Sequence, residues 1–299
     1  MRKIKKLIIL KILLSNILSQ SIGSYEILDL SKNARMLALS NSGSAYDAIY
    51  LQNNPASISL KSSGNEYSLS YLPADIHLGS IQYIRKINRR IEALRISILN
   101  YGKIEDSETQ LSSNVFEGLI EIGLKNEFKK ITSVGFSFGY VFSSISNYTS
   151  HIIFSKIGLR SRLYNKKLGI GLSIENIGYV IKPYTEIMES IPTLFRASSY
   201  YEPKYIPLII NIDLIKNLTY NKIYLNGGLE FKFNRHLFFR CGIRNIRSDF
   251  ITKDFKKDIF AGLSGGLGFQ LLDKKLDIGF MNMGAAGVII GLSIQNKKK

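Results

Sequence analysis

Residues 131–142 read ITSVGFSFGYVF, and their alternation decides the fold. Val134, Phe136, Phe138, Tyr140 and Phe142 share one face of an extended chain, and Ser133, Gly135, Ser137, Gly139 and Val141 share the other. Successive side chains of a strand point to opposite sides, so one face is large and apolar and the other small. The pattern returns along the chain. Leu168, Ile170, Leu172 and Ile174 alternate with Gly169, Gly171, Ser173 and Glu175. Ile223, Leu225, Leu229, Phe231 and Phe233 alternate with Tyr224, Asn226, Gly228, Glu230 and Lys232. Leu263, Leu267, Phe269 and Leu271 alternate with Ser264, Gly266, Gly268 and Leu272, and Val288, Ile290, Leu292 and Ile294 form a last apolar row. A soluble sandwich also alternates, but here the runs reach ten residues or more, strand after strand. Apolar residues facing lipid, alternating with small or polar residues facing a lumen, are the signature of a transmembrane β-barrel. About ten residues suffice for a tilted strand to cross the hydrocarbon layer.

Fourteen strands are predicted, near 66–72, 77–87, 90–101, 113–125, 130–144, 148–162, 166–177, 192–201, 205–215, 221–233, 236–246, 257–272, 274–282 and 286–295. The even number suits a single-chain antiparallel barrel. Tight connections are expected at Asn88-Arg89, Asn165-Lys166, Asn234-Arg235 and Asp273-Lys274, and long ones over 102–112, 178–191 and 247–256. Short turns on one rim and long loops on the other fit an outer-membrane barrel.

The N-terminus reads as an export leader, residues 1–22. Arg2, Lys3, Lys5 and Lys6 precede a short apolar region interrupted by Lys11, and small residues follow. That run is too short and too broken for a membrane span. No cysteine follows it, which excludes a lipoprotein. The chain has a formal net charge of +17, which falls to +12 without the five cations of the leader. Nucleic acid is not the expected partner: the cations are scattered at strand ends and loops, as in Arg85, Lys86, Arg89 and Arg90, with no basic stripe interleaved with aromatics. Such positions suit anionic headgroups at the rims of a barrel. The single cysteine, Cys241, permits no intrachain disulfide and is expected as a buried inert thiol. Without paired cysteines or Cys/His clusters, no metal site is expected.

Between leader and strands, residues 31–60 read SKNARMLALSNSGSAYDAIYLQNNPASISL. Ala34, Leu37, Ala38 and Asn41 recur at helical spacing, as do Ala45, Ala48, Ile49 and Gln52. Asn53-Asn54-Pro55 then stops any helix, because proline lacks the N–H and restricts the residue before it. A mostly apolar, partly helical segment ahead of a barrel is expected to sit in its lumen. The chain thus divides into a leader (1–22), a luminal plug segment (23–60), the barrel (61–296) and a basic tail (297–299).

The stretch ARMLALSNSGSAYDAIYLQNNPAS also resembles the opening signature of the PorV/PorQ family of outer-membrane barrels, which are related in architecture to the channel FadL. Ala34, Arg35, Leu37, Ala38, Leu39, Asp47 and Asn54-Pro55-Ala56 carry the match, whereas Ser40-Asn41 stand where the family has two glycines. LNYGKIEDSE (99–108), IPTLFRASSYYEP (191–203) and DIFAGLSGGLGFQ (258–270) extend it, closer to PorQ than to PorV. The resemblance implies a component of a type IX secretion and surface-attachment system, anchoring or docking a surface or periplasmic protein. The alternative is a FadL-like channel for hydrophobic solutes, with residues 31–60 as its hatch. The many glycines and serines of the inward faces favour a filled lumen over a greasy pocket.

No enzyme is expected, and no cofactor. His77, His151 and His236 lie far apart, and neither Ser42-Gly43-Ser44 nor the glycines of 262–268 end in Gly-Lys-Ser/Thr as a phosphate loop does; small residues making room in a narrow lumen explain the latter. The candidate plug or gating residues are Arg35, Leu37, Leu39, Asp47, Asn54 and Pro55. Tyr67, Tyr71, Tyr83, Tyr200, Tyr201 and Tyr205 are expected in interfacial girdles. The barrel is expected to be monomeric, in contact with outer-membrane lipid.

Overall fold

The computed structural model describes residues 25–46, 51, 53–58, 64–88, 90–105, 112–128, 131–245 and 260–297. Fourteen strands run β1 (Gly64–Leu72), β2 (Ile76–Ile87), β3 (Arg90–Glu105), β4 (Ser112–Phe128), β5 (Thr132–Ile145), β6 (Tyr148–Leu163) and β7 (Leu168–Lys182). They continue as β8 (Leu194–Tyr201), β9 (Leu208–Asn217), β10 (Lys222–Lys232), β11 (Leu237–Arg244), β12 (Leu263–Leu271), β13 (Lys274–Asn282) and β14 (Val288–Lys297). Each pairs antiparallel with its sequence neighbours, and β1 pairs with β14 from Gly64 opposite Lys297 to Tyr71 opposite Ile290. The sheet is a closed barrel with no free edge. All fourteen expected strands are present; the largest shift is the start of β12.

The alternation has the expected sense. Val134, Phe136 and Phe138 are exposed on the outside, while Ser133, Ser137 and Val141 are buried inside. The outer surface is a belt of Ile, Leu, Val and Phe, as a membrane-spanning barrel requires. Three side chains depart from expectation. Leu272 forms the β12–β13 turn at φ 51° and is 95% exposed, so it does not line the lumen. Tyr200 turns inward against Ala45 and leaves the girdle, whereas Tyr67, Tyr71, Tyr83, Tyr201 and Tyr205 stay outside. Cys241 is exposed, not buried, because the parity of β11 sets it with Phe239 and Ile243 on the belt.

The tight turns expected at 88–89, 165–166, 234–235 and 273–274 correspond to the connections β2–β3, β6–β7, β10–β11 and β12–β13, the last one residue earlier because β13 begins at Lys274; all share one rim with the β8–β9 connection 202–207. The connections 183–193 and 245–262, and that between β3 and β4, share the other. Below, these are the short-turn rim and the long-loop rim. The leader, Asp47, and residues 106–111 and 246–259 lie outside the described residues.

The N-terminal segment fills the lumen. It enters near the long-loop rim, where the Tyr25 hydroxyl lies 2.8 Å from Ser150 Oγ. It leaves near the short-turn rim, where Lys125 Nζ donates to the Ile58 carbonyl at 2.6 Å. Helix α1 (Ala34–Ala38) is capped by Asn33, whose side chain accepts from Met36 N. The helical spacing extends to Asn41, but the helix stops at Ala38. Ser40 and Asn41 follow at φ 51° and 60°, the left-handed turn that ends a helix. The second helical spacing, around 45–52, falls largely outside the described residues.

Candidate functional site

The lumen is built in three layers, each set by which residues the inward parity selects. Next to the long-loop rim the selected residues are large and apolar: Leu72, Leu78, Leu99, Ile152, Met281 and Ile289 surround Ile27, Leu28 and Leu37 of the plug. The sequence reading, weighted by glycine and serine, missed this chamber. A roof closes it. Tyr184 of the 183–193 connection stacks on Tyr25, ring centroids 6.2 Å apart and 14° from parallel, and hydrogen-bonds Ser143. Glu117 accepts from Ile27 N at 2.9 Å and from the Tyr101 hydroxyl at 3.1 Å. Burial pushes the phenols of Tyr25 and Tyr184 above their ordinary range, so both remain neutral. Asp29 and Arg244, 3.7 Å apart, separate two narrow clefts in this layer. Leu30, Leu72, Leu78 and Ile289 line one; Leu194, Ile215 and Tyr224 line the other.

The middle layer is ionic. Arg35 donates to Glu230 Oε2 at 2.7 Å and lies over the Tyr46 ring. Arg240 joins Glu230 (2.6 Å) to Asp277 (2.7 Å). Arg196 pairs with Glu175 at 2.7 Å and with Asp213 at 3.3 Å. Asp213 in turn accepts from Gly43 N and Ser44 N. Glu121 takes up Arg95 and, at 3.2 Å, Lys156. Charges so buried are tolerable only when paired and hydrogen-bonded.

The third layer grips the plug by its main chain. Ser133 Oγ donates to Ala56 O at 2.8 Å and Arg160 to Ser57 O at 3.3 Å. Asn54 Nδ2 reaches the Leu159 and Leu172 carbonyls at 3.1 and 3.3 Å, and its Oδ1 caps the 3-10 turn Pro55–Ser57. At several inward positions only glycine leaves room for the plug, Gly135, Gly242 and Gly279 among them. A Cβ on Gly135 would overlap the Pro55-Ala56 peptide, and one on Gly279 would overlap Ala34 O.

Five of the six candidate residues are thus placed. Arg35 is an ionic tether. Leu37 belongs to the apolar chamber and Leu39 packs its main chain on Gly242. Asn54-Pro55 opens the 3-10 turn Pro55–Ser57 and clamps it to the wall; the helix it was expected to stop falls largely on residues outside those described. The wall charges that meet the plug were partly visible, as Glu175 and Glu230 on faces otherwise small. His77 and His236 are exposed and far from the lumen contacts, and His151 lies against Tyr140 and Phe142. Among the described residues, no three His, Cys, Asp or Glu side chains gather as metal ligands.

The fold has close counterparts among solved structures. The Pseudomonas putida toluene transporter TodX superposes with a TM-score of 0.64 at 12% identity, covering 90% of this chain and 98% of that one. The Ralstonia pickettii toluene transporter TbuX gives 0.62 at 11%, over 89% and 98%. A Pseudomonas aeruginosa FadL homologue gives 0.57 at 10%, over 90% and 98%. The shared feature is the fourteen-stranded barrel fold. No protein-family model and no curated protein matches the chain.

Proposed function

We propose that this protein is an outer-membrane channel for hydrophobic solutes, with FadL-like architecture. The observation that carries the reading is the apolar outer chamber, lined by Leu72, Leu78, Met281 and Ile289 and roofed by the Tyr25–Tyr184 stack. A barrel that only anchored a partner would have no need for such a lining. An apolar solute entering from the long-loop side meets the Tyr25–Tyr184 roof first, and below it apolar walls whose space Ile27, Leu28 and Leu37 of the plug occupy. Passage requires the plug to shift, and the ionic and carbonyl contacts of residues 35–58 are what it must release. The likeness to TodX and TbuX supports the same class of solute.

The test is uptake of radiolabelled toluene and oleate by cells lacking the protein, complemented with wild type or with Y25A/Y184A. Uptake restored by wild type and altered by the double variant supports a channel. Uptake independent of the protein overturns it. The second reading is the PorV/PorQ-like docking barrel of a type IX secretion system. One observation favours it: the described plug residues, 25–46, 51 and 53–58, lie in the lumen, nearly all of them buried. A large surface protein recovered with the barrel in fixed ratio would establish that role in place of the channel.

A further inference from the structure

Among the described residues, the cations that remain outside the lumen are not spread evenly. On the short-turn rim each turn described at its tip pairs an exposed apolar residue with an exposed cation. Tyr164 precedes Lys166, Lys204 precedes Tyr205, and Leu272 precedes Lys274. Lys86 beside Ile87 and Phe233 near Arg235 repeat the arrangement. Lys204 lies 5.2 Å from the Tyr205 ring centroid. Three acids of this rim are engaged, Glu92 by Arg85, Glu127 by Arg162 and Glu202 by Lys232, and Asp273 lies exposed between Leu272 and Lys274. Among the described residues the opposite rim is mixed, with Asp75, Glu186 and Glu189 against Lys103, Lys182, Lys216 and Lys222.

We propose that the short-turn rim is a collar that binds the headgroups of anionic phospholipids in the adjoining leaflet. Each turn places an apolar tip at the lower edge of the belt, level with the acyl boundary, and an ammonium or guanidinium just beyond it, level with phosphate. Aromatic residues anchor at that boundary, and basic residues near an anionic surface add attraction that salt screens. The distribution argues for lipid over an acidic protein: a protein would cover one sector, whereas these units recur around the circumference from the β2–β3 turn to the β12–β13 turn. This inference needs only the barrel in a membrane, not the channel reading.

The test is native mass spectrometry of the full mature protein, released from nanodiscs made of equal dioleoylphosphatidylglycerol and dioleoylphosphatidylcholine. Several phosphatidylglycerol molecules should be retained, about tenfold preferred at low salt and only about twofold in 0.5 M salt. The variant K86Q/K166Q/K204Q/R235Q/K274Q should keep the heat-sensitive gel mobility of a folded barrel and lose the preference. Each single replacement should remove only part of it. Equal retention of both lipids by wild type overturns the collar. So does complete loss from one single replacement, which marks a discrete site, or an equal loss from K182Q/K222Q on the other rim. An acidic protein that stays bound and displaces the lipid also overturns it.

Discussion

Arg35 of the plug and Glu230 of the wall meet at 2.7 Å, and both side chains are about 95% buried. Glu230 is also held by Arg240, so the two ends of the pair are not equivalent. Removing Glu230 takes the shared carboxylate from two buried guanidinium groups, of which Arg240 keeps Asp277, whereas removing Arg35 leaves a carboxylate that still has Arg240. Breaking a buried pair from one side costs about 3–5 kcal/mol. Glu230→Ala should therefore lower the thermal midpoint of the barrel more than Arg35→Met does. Heat-modifiability on gels reads this order, and the reverse order would show that Arg35 is not a tether.

Gly135 and Gly279 take the plug main chain at van der Waals distance. Gly135→Leu and Gly279→Val should leave the barrel folded and push the plug off the wall, with an overpacking cost of about 1–3 kcal/mol. Planar-bilayer conductance should rise in both. A barrel that stays as closed as wild type in these variants would show that the lumen is sealed by something other than residues 34–58.

Ser40 and Asn41 make a left-handed turn without glycine. Asn41→Gly gains backbone freedom there and loses one hydrogen bond, since Asn41 Oδ1 accepts from Asn53 at 3.2 Å. The two effects nearly offset, so stability should change by less than about 1 kcal/mol. Asn41→Val keeps neither and should cost about 2 kcal/mol. Equal thermal midpoints for the two variants would place the turn elsewhere.

Cys241 faces outward in the belt. In lipid bilayers it should react with an apolar maleimide and not with a charged, water-soluble one. Ser137→Cys, on the inward face of β5 and fully buried, should react with neither. Labelling of Cys241 by the charged reagent in membranes would contradict the belt.

The barrel was legible because a period of two is a strong signal when it persists for ten residues, and its small inward residues belong to the layer that carries the plug. The outer chamber was not. Its lining residues, such as Leu78, Leu99 and Ile152, sit near strand ends, where the inward residue is apolar and outward neighbours such as His77, Asn100 and His151 are polar, so the alternation of mid-strand is reversed or lost. The Tyr25–Tyr184 roof joins residues from two connections, and no local pattern links them. The turn at Ser40 and Asn41 was hidden as well, since both adopt left-handed backbone without a glycine to mark it.

The plug does not hug one side of the lumen. Residues 54–58 bond to β4, β5, β6 and β7, while residues 34–44 bond to β9, β10, β12 and β14. It is therefore a cross-brace, joining early strands to late ones through the hollow middle. A bare ring of strands flattens easily into an ellipse; one strutted from within does not. The same geometry orders assembly. Residues 54–58 can dock as soon as β4 to β7 have formed, and they then hold residues 34–44 out as a template for the later strands. The seam from Gly64 to Lys297 joins the ends of the barrel sequence, the slowest kind of contact to find. With the strut already spanning the gap, its two edges are brought into register before they zip.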